Sequence, residues 1–231
     1  RSLFNWVTLG GANYLGVGTH LKFYISQGGA YYDVTPLRAT TSAGDVTFAA
    51  TNESSTITIT DAGHGALIDD FVTFSGAASL GSGGNITAAV LNQEYQIAYV
   101  TNTNVYTITA KDTDGDTVTA NSSDSGNGGS SVVGAYQITT GYDIEVPIIG
   151  WSGGTWGIGT WGVGATTASS LRLWSQSAFG ADLVFASRGG AIYYWDSSAG
   201  TSTRGVLASN LSNASDVPTV TNTVLVSDVS R

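Results

Sequence analysis

The 231-residue chain contains no cysteine and no methionine, only two histidines and three prolines, and just 11% charged residues, against roughly 25% in an average soluble domain. Each absence excludes something. Without cysteine there are no disulfides, thiolate metal sites, iron–sulfur clusters or cysteine nucleophiles. His20 and His64 leave little material for metal binding or acid–base work. Eight Lys and Arg against seventeen Asp and Glu leave no basic stripe, so no direct, sequence-specific nucleic-acid partner is expected. No apolar run approaches the roughly 18 residues of a membrane-spanning helix, and no basic, apolar leader opens the chain, so no membrane partner is expected either. A chain that starts at Arg1 and has no methionine anywhere suggests a fragment or processed product of a longer protein.

What the chain does contain is 31 Gly, 27 Ser and 30 Thr, which starves helices of their material. Alternation with period two recurs at short intervals instead, in STITIT (55–60), FVTF (71–74), EYQIAYV (94–100), VYTITA (105–110), AIYYW (191–195) and TVLV (223–226). That is the pattern of half-buried strands, and it predicts an all-β fold. Thr101-Asn102-Thr103-Asn104 separates two of these runs and reads as a hairpin turn, with Asn able to take positive φ. Asp112-Thr113-Asp114-Gly115-Asp116 reads as a second turn before Thr117 to Ala120.

Charge and tryptophan divide the chain in two. Residues 39–140 hold ten acids and one base, for a net of -9, while the remainder is neutral and holds all six Trp. Such a break marks a domain boundary: residues 39–140 are expected to form an acidic β insert, a small sandwich or barrel, within a Trp-rich body made of 1–38 and 141–231. The body repeats one local grammar, a hydrophobic strand, a Gly-Gly turn, an aromatic strand and an Asp, at 19–33 and again at 182–196. Blade-type repeats of four short strands run about 40 to 45 residues, so a partial β-propeller-like body is expected, with a sandwich as the alternative.

Asp112, Asp114 and Asp116 invite a calcium reading, but an EF-hand loop needs Gly at its sixth position and Glu at its twelfth. Here Gly is fourth and the twelfth residue is Ser123, so a hairpin turn is the expected role and cation binding the weaker one. Trp151, Trp156 and Trp161 recur every five residues among glycines. They could stack on sugar rings, yet few polar residues accompany them, and a sugar site needs convergent polar groups as well as apolar walls. Core or subunit packing is the expected role. His64, beside Asp69 and Asp70, could suggest a metal or hydrolytic cluster. With no Gly-x-Ser-x-Gly and no second His, a turn histidine bonded to backbone is expected. No cofactor is expected, and no enzyme. The Asn-x-Ser/Thr sequons are what so many hydroxyl residues generate by chance.

Three stretches resemble large virion proteins of tailed bacteriophages, tail and neck components of which many have a β-propeller body. They are Val17-Gly18-Thr19-His20 with Tyr31 to Arg38, Trp151-Ser152-Gly153-Gly154-Thr155-Trp156-Gly157, and Leu173-Trp174-Ser175 through Phe179 to Leu183 and on to Arg188-Gly189-Gly190-Ala191-Ile192-Tyr193-Tyr194-Trp195-Asp196. The insert is similar to small phage β-modules marked by His-Gly, then Gly-Asp-x-Val, then a Val/Thr-Phe strand. His64-Gly65 and Phe71-Val72-Thr73-Phe74 match, whereas Asp69-Asp70 stands where the module has Gly-Asp, which puts the tight turn there in doubt. The resemblance implies an architectural role in the virion, assembled in the host cytoplasm, with other tail or neck proteins and further copies of the chain as partners. It transfers no catalytic residues. The competing expectation is an adhesin that binds a host surface glycan or receptor through the acidic insert or the Trp loop.

Overall fold

In a computed structural model of the chain, which describes residues 2–81, 84–125, 128–139 and 173–227, the protein falls into two compact units. Unit 1 is Arg1–Pro36 with Thr140–Arg231, and unit 2 is Leu37–Thr139. Unit 1 begins with an antiparallel meander, β1 (Ser2–Val7), β2 (Asn13–Gly18), β3 (Phe23–Gln27) and β4 (Ala30–Asp33), paired in sequence order. Thr19–Ile25 does not act as one strand. The Thr19 hydroxyl accepts from Lys22 N and donates to Lys22 O, folding 19–22 into the turn that precedes β3.

Unit 2 starts at β5 (Leu37–Thr40), so Leu37 and Arg38 belong with the acidic segment. It continues with β6 (Thr47–Ala50), β7 (Thr56–Thr60), β8 (Phe71–Ser75), one helical turn α1 (Ala88–Leu91), β9 (Glu94–Gln96), β10 (Tyr99–Asn102), β11 (Val105–Thr109) and β12 (Val133–Gln137). Two four-stranded antiparallel sheets result, ordered β10-β11-β7-β6 and β5-β12-β8-β9. They share one core that includes Phe48, Ile57, Ile59, Val72, Phe74, Leu91, Ile97 and Ile108, and Phe48 meets Phe74 edge-on at 5.0 Å. This is a sandwich. Among the described residues no sheet closes into a barrel.

Two sequence expectations change here. The run at 94–100 is two strands in different sheets, because Ile97 N donates to Asp70 O while Ala98 N already donates to Thr107 O. Ile97 stays buried and Tyr99 turns outward. The hairpin at 101–104 forms between β10 and β11 with a register shift, yet neither Asn102 nor Asn104 takes a positive φ. After the Asp112–Asp116 turn, a single bridge between Lys111 and Thr117 replaces the expected strand at 117–120.

The second sheet of unit 1 is β13 (Trp174–Phe179), β14 (Asp182–Ser187), β15 (Ile192–Trp195) and the short β16 (Val206–Leu207), again in sequence order. The two meanders are separate sheets, and aromatic side chains fill the space between them. Phe23 stacks on Phe185 at 4.3 Å, and Tyr14 meets Trp195 edge-on at 5.4 Å. Tyr193 and Trp195 face inward, whereas the Tyr194 hydroxyl donates to Asp182. Close approach demands glycine on β2: a Cβ on Gly18 would lie 2.4 Å from the Trp174 ring. Residues 223–226 do not pair as a strand. They run along β13 on its serines, Val224 N donating to Ser175 Oγ and Val226 N to Ser177 Oγ.

Candidate functional site

The chemistry-bearing side chains of unit 2 gather around the loop from Asp61 to Asp70, between β7 and β8. Gly63 and Gly65 both take positive φ, a conformation that costs glycine nothing, and the loop doubles back so that the His64 ring is buried. His64 Nδ1 accepts from Ala66 N at 3.0 Å. The ring hydrogen then sits on Nε2, which bonds to Asn102 O at 3.0 Å. The ring also lies edge-on to Tyr106, 4.9 Å between centroids.

A buried chain of hydroxyls runs beside it. Tyr136 of β12 donates to Asp61 Oδ2 at 2.5 Å, and its oxygen is 2.8 Å from that of Tyr106 on β11. With the Tyr136 hydrogen committed to Asp61, Tyr106 is the donor between the two tyrosines. Burial holds both phenols far above the usual tyrosine value, and the Asp61 charge adds to it, so both stay protonated. Arg38 lies over the Tyr136 ring at 4.9 Å and donates to His64 O at 2.8 Å.

Asp70 accepts from Leu67 N at 2.9 Å and from the Thr139 hydroxyl at 2.9 and 3.2 Å. Burial raises its carboxyl above the usual value, outweighing those bonds and the nearby Arg38 charge. Asp69 takes φ 71°, so the residue in the Gly position of the resembled motif still makes the left-handed turn. The arrangement bonds the incoming strand through Arg38, the outgoing end through Thr139, and both sheets to one loop.

The Asp112–Asp116 segment lies elsewhere and closes on itself. Asp112 Oδ1 accepts from Asp114 N and Asp116 N. Among the described residues no group of three or more His, Cys, Asp or Glu is placed to hold a metal ion. Trp151, Trp156 and Trp161 lie outside the described residues. In unit 1, Asp33 pairs with Lys22 at 2.9 Å and Arg204 at 3.4 Å. Burial pushes its carboxyl up, but hydrogen bonding from Thr35 and the two cations outweigh burial and hold it below the usual range. Sequence reading finds His64 and Asp70 but misses Arg38, Asp61, Tyr106 and Tyr136. The available signal was a tyrosine standing in the inward register of β11, where Ile108 also sits.

Fold and site define an all-β protein of two antiparallel units, one built on stacked aromatic sheets and one on a sandwich with an internal polar knot. No protein-family model matches the chain, and no curated protein matches it either. Among solved structures it is similar to the phage phi92 endosialidase, at 15% identity and a TM-score of 0.31 over 89% of this chain. The chain spans 29% of that structure's length, and a likeness of this size carries no functional argument.

Proposed function

We propose that the chain is a structural component of a bacteriophage tail or neck that acts through protein–protein assembly and has no catalytic role. One observation carries this reading: the side chains that could do chemistry, His64, Asp61, Asp70, Tyr106 and Tyr136, are bonded to backbone or to one another inside unit 2. They tie the 61–70 loop to the strands around it. The blade-like grammar of unit 1 supports the same reading, as does the resemblance carried by Arg188 to Asp196, which forms the turn after β14 and strand β15. Folding requires no thiol, which suits a particle that passes between redox environments.

Two measurements test it. A reconstruction of the intact particle should locate the chain in the tail or neck, and its absence from the particle would overturn the proposal. Purified protein should show no saturable binding to host cells or surface polysaccharides. Saturable binding abolished by deleting 39–140 or by Trp156→Ala would favour the receptor- or glycan-binding role instead.

A further inference from the structure

We propose that residues 222–226 form a strap on the outer face of the second sheet of unit 1, opening about Thr221 while the sheet itself stays folded. The inference concerns this chain alone, goes beyond the assembly reading and does not rest on it. Trp174 and Gln176 of β13 bond inward, to Thr19 O and Gly16 O. Alternation therefore turns Ser175 and Ser177 to the opposite face, where their rows continue into Ala186 and Val184 of β14. That face is the one the strap crosses.

The strap is fixed differently at its two ends. At Thr221 backbone meets backbone: Thr221 N donates to Gly190 O and Gly189 N donates to Thr221 O, both at 2.8 Å. Beyond Thr221 the chain meets hydroxyls instead. Ser175 Oγ accepts from Val224 N at 2.9 Å and donates to Val224 O at 3.2 Å, and Ser177 Oγ accepts from Val226 N at 3.1 Å. A serine hydroxyl can turn to solvent by changing its χ1 rotamer, which a carbonyl in a strand ladder cannot.

Apolar anchoring is equally thin. Of residues 222–226, Val224 alone is buried, and Leu225 is 87% exposed. Segments with few buried apolar contacts and solvent-exposed backbone bonds lie at the low end of local stability. In contrast, β14 is bonded to a strand on each side, and Leu183 and Phe185 within it are fully buried. Opening therefore gives up two serine contacts and one valine and leaves the sheet intact. It uncovers the serine row and releases Thr223-Val224-Leu225-Val226, an alternating sequence that can then offer its backbone to another strand.

The test is amide hydrogen exchange of the full chain, followed by NMR in rising but sub-denaturing urea. Relative to their intrinsic rates, Val224 and Val226 should exchange at least about a hundredfold faster than Leu183 and Phe185. Their rates should stay flat as urea rises, because a local opening exposes little surface. Ser175→Ala should speed Val226, and Ser177→Ala should speed Val224, each by about fivefold, with the β14 amides unchanged as the check on folding. If an alanine variant loosens β14, the urea dependence of the parent decides alone. Protection equal to that of β14, falling with urea in step with it, would place the strap in the core and overturn the proposal. Variants that speed only the amide beside the lost hydroxyl would overturn it too, since the segment would then fray residue by residue.

Discussion

Asp69 holds a left-handed φ of 71° in the half-buried 61–70 loop, a conformation in which a side chain is strained and glycine is not. Asp69→Gly should therefore raise stability by roughly 0.5–1 kcal/mol, read as a higher urea midpoint. A lower midpoint would show that the Asp69 side chain contributes more than its strain costs. The two tyrosines of the buried chain look equivalent in sequence but should not behave alike. Tyr136→Phe leaves the Asp61 carboxylate buried without its hydroxyl donor and should cost about 1–3 kcal/mol, whereas Tyr106→Phe removes only the terminal donor and should cost about 0.5–1.5 kcal/mol. Chemical denaturation of both single variants checks the order, and equal losses would show that the donors do not run from Tyr106 through Tyr136 to Asp61.

At the scale of elements, Ile97 and Tyr99 test the break within 94–100. Alternation puts both on one face, but the crossing from β9 to β10 buries Ile97 completely and leaves Tyr99 59% exposed. Ile97→Ala should cost about 2–5 kcal/mol by opening a cavity, and Tyr99→Ala should stay within about 0.5 kcal/mol. Comparable penalties in denaturation would restore the single strand. Most strands were legible, since β7, β8, β11 and β15 follow their alternating runs closely. The break at 97–98 was not, because it depends on bonds to Asp69 and Asp70, far away in sequence, competing with the local hairpin bond to Thr107. Residues 223–226 mislead for a related reason, their partners being the Ser175 and Ser177 side chains instead of a neighbouring backbone. His64 was legible as a turn residue because glycines flank it. The hydroxyl chain was not, because a buried tyrosine reads as one more apolar residue in an alternating strand.

At the scale of the whole molecule, the two units should respond to acid with opposite signs at half-buried Asp33 and buried Asp70. Asp33 in unit 1 has a lowered folded-state pKa, so its contribution is present above the unfolded value of about 3.9 and is lost as the pH falls through the lower folded value. Asp70 in unit 2 has a raised pKa, so stability is gained as the pH falls through that folded value toward about 3.9. In melting curves from pH 7 to about 3, the penalty of Asp33→Asn should shrink at the acid end, while the parent gains stability relative to Asp70→Asn. The same trend in both variants would show that burial and partners do not separate the two groups.

The first and last strands of unit 2 are antiparallel neighbours, with Leu37 opposite Gln137. A mechanical load pulling on the chain at both ends of the sandwich therefore acts first on that one pair of rungs. Ladder bonds lie perpendicular to the strands, so tension there opens them one after another, as a zip, without shearing many at once. Arg38 and Thr139, fastened to the 61–70 loop, are the clasp at the open end of that zip. Single-molecule stretching of the full chain should find unit 2 yielding at low force, and lower still for Arg38→Ala.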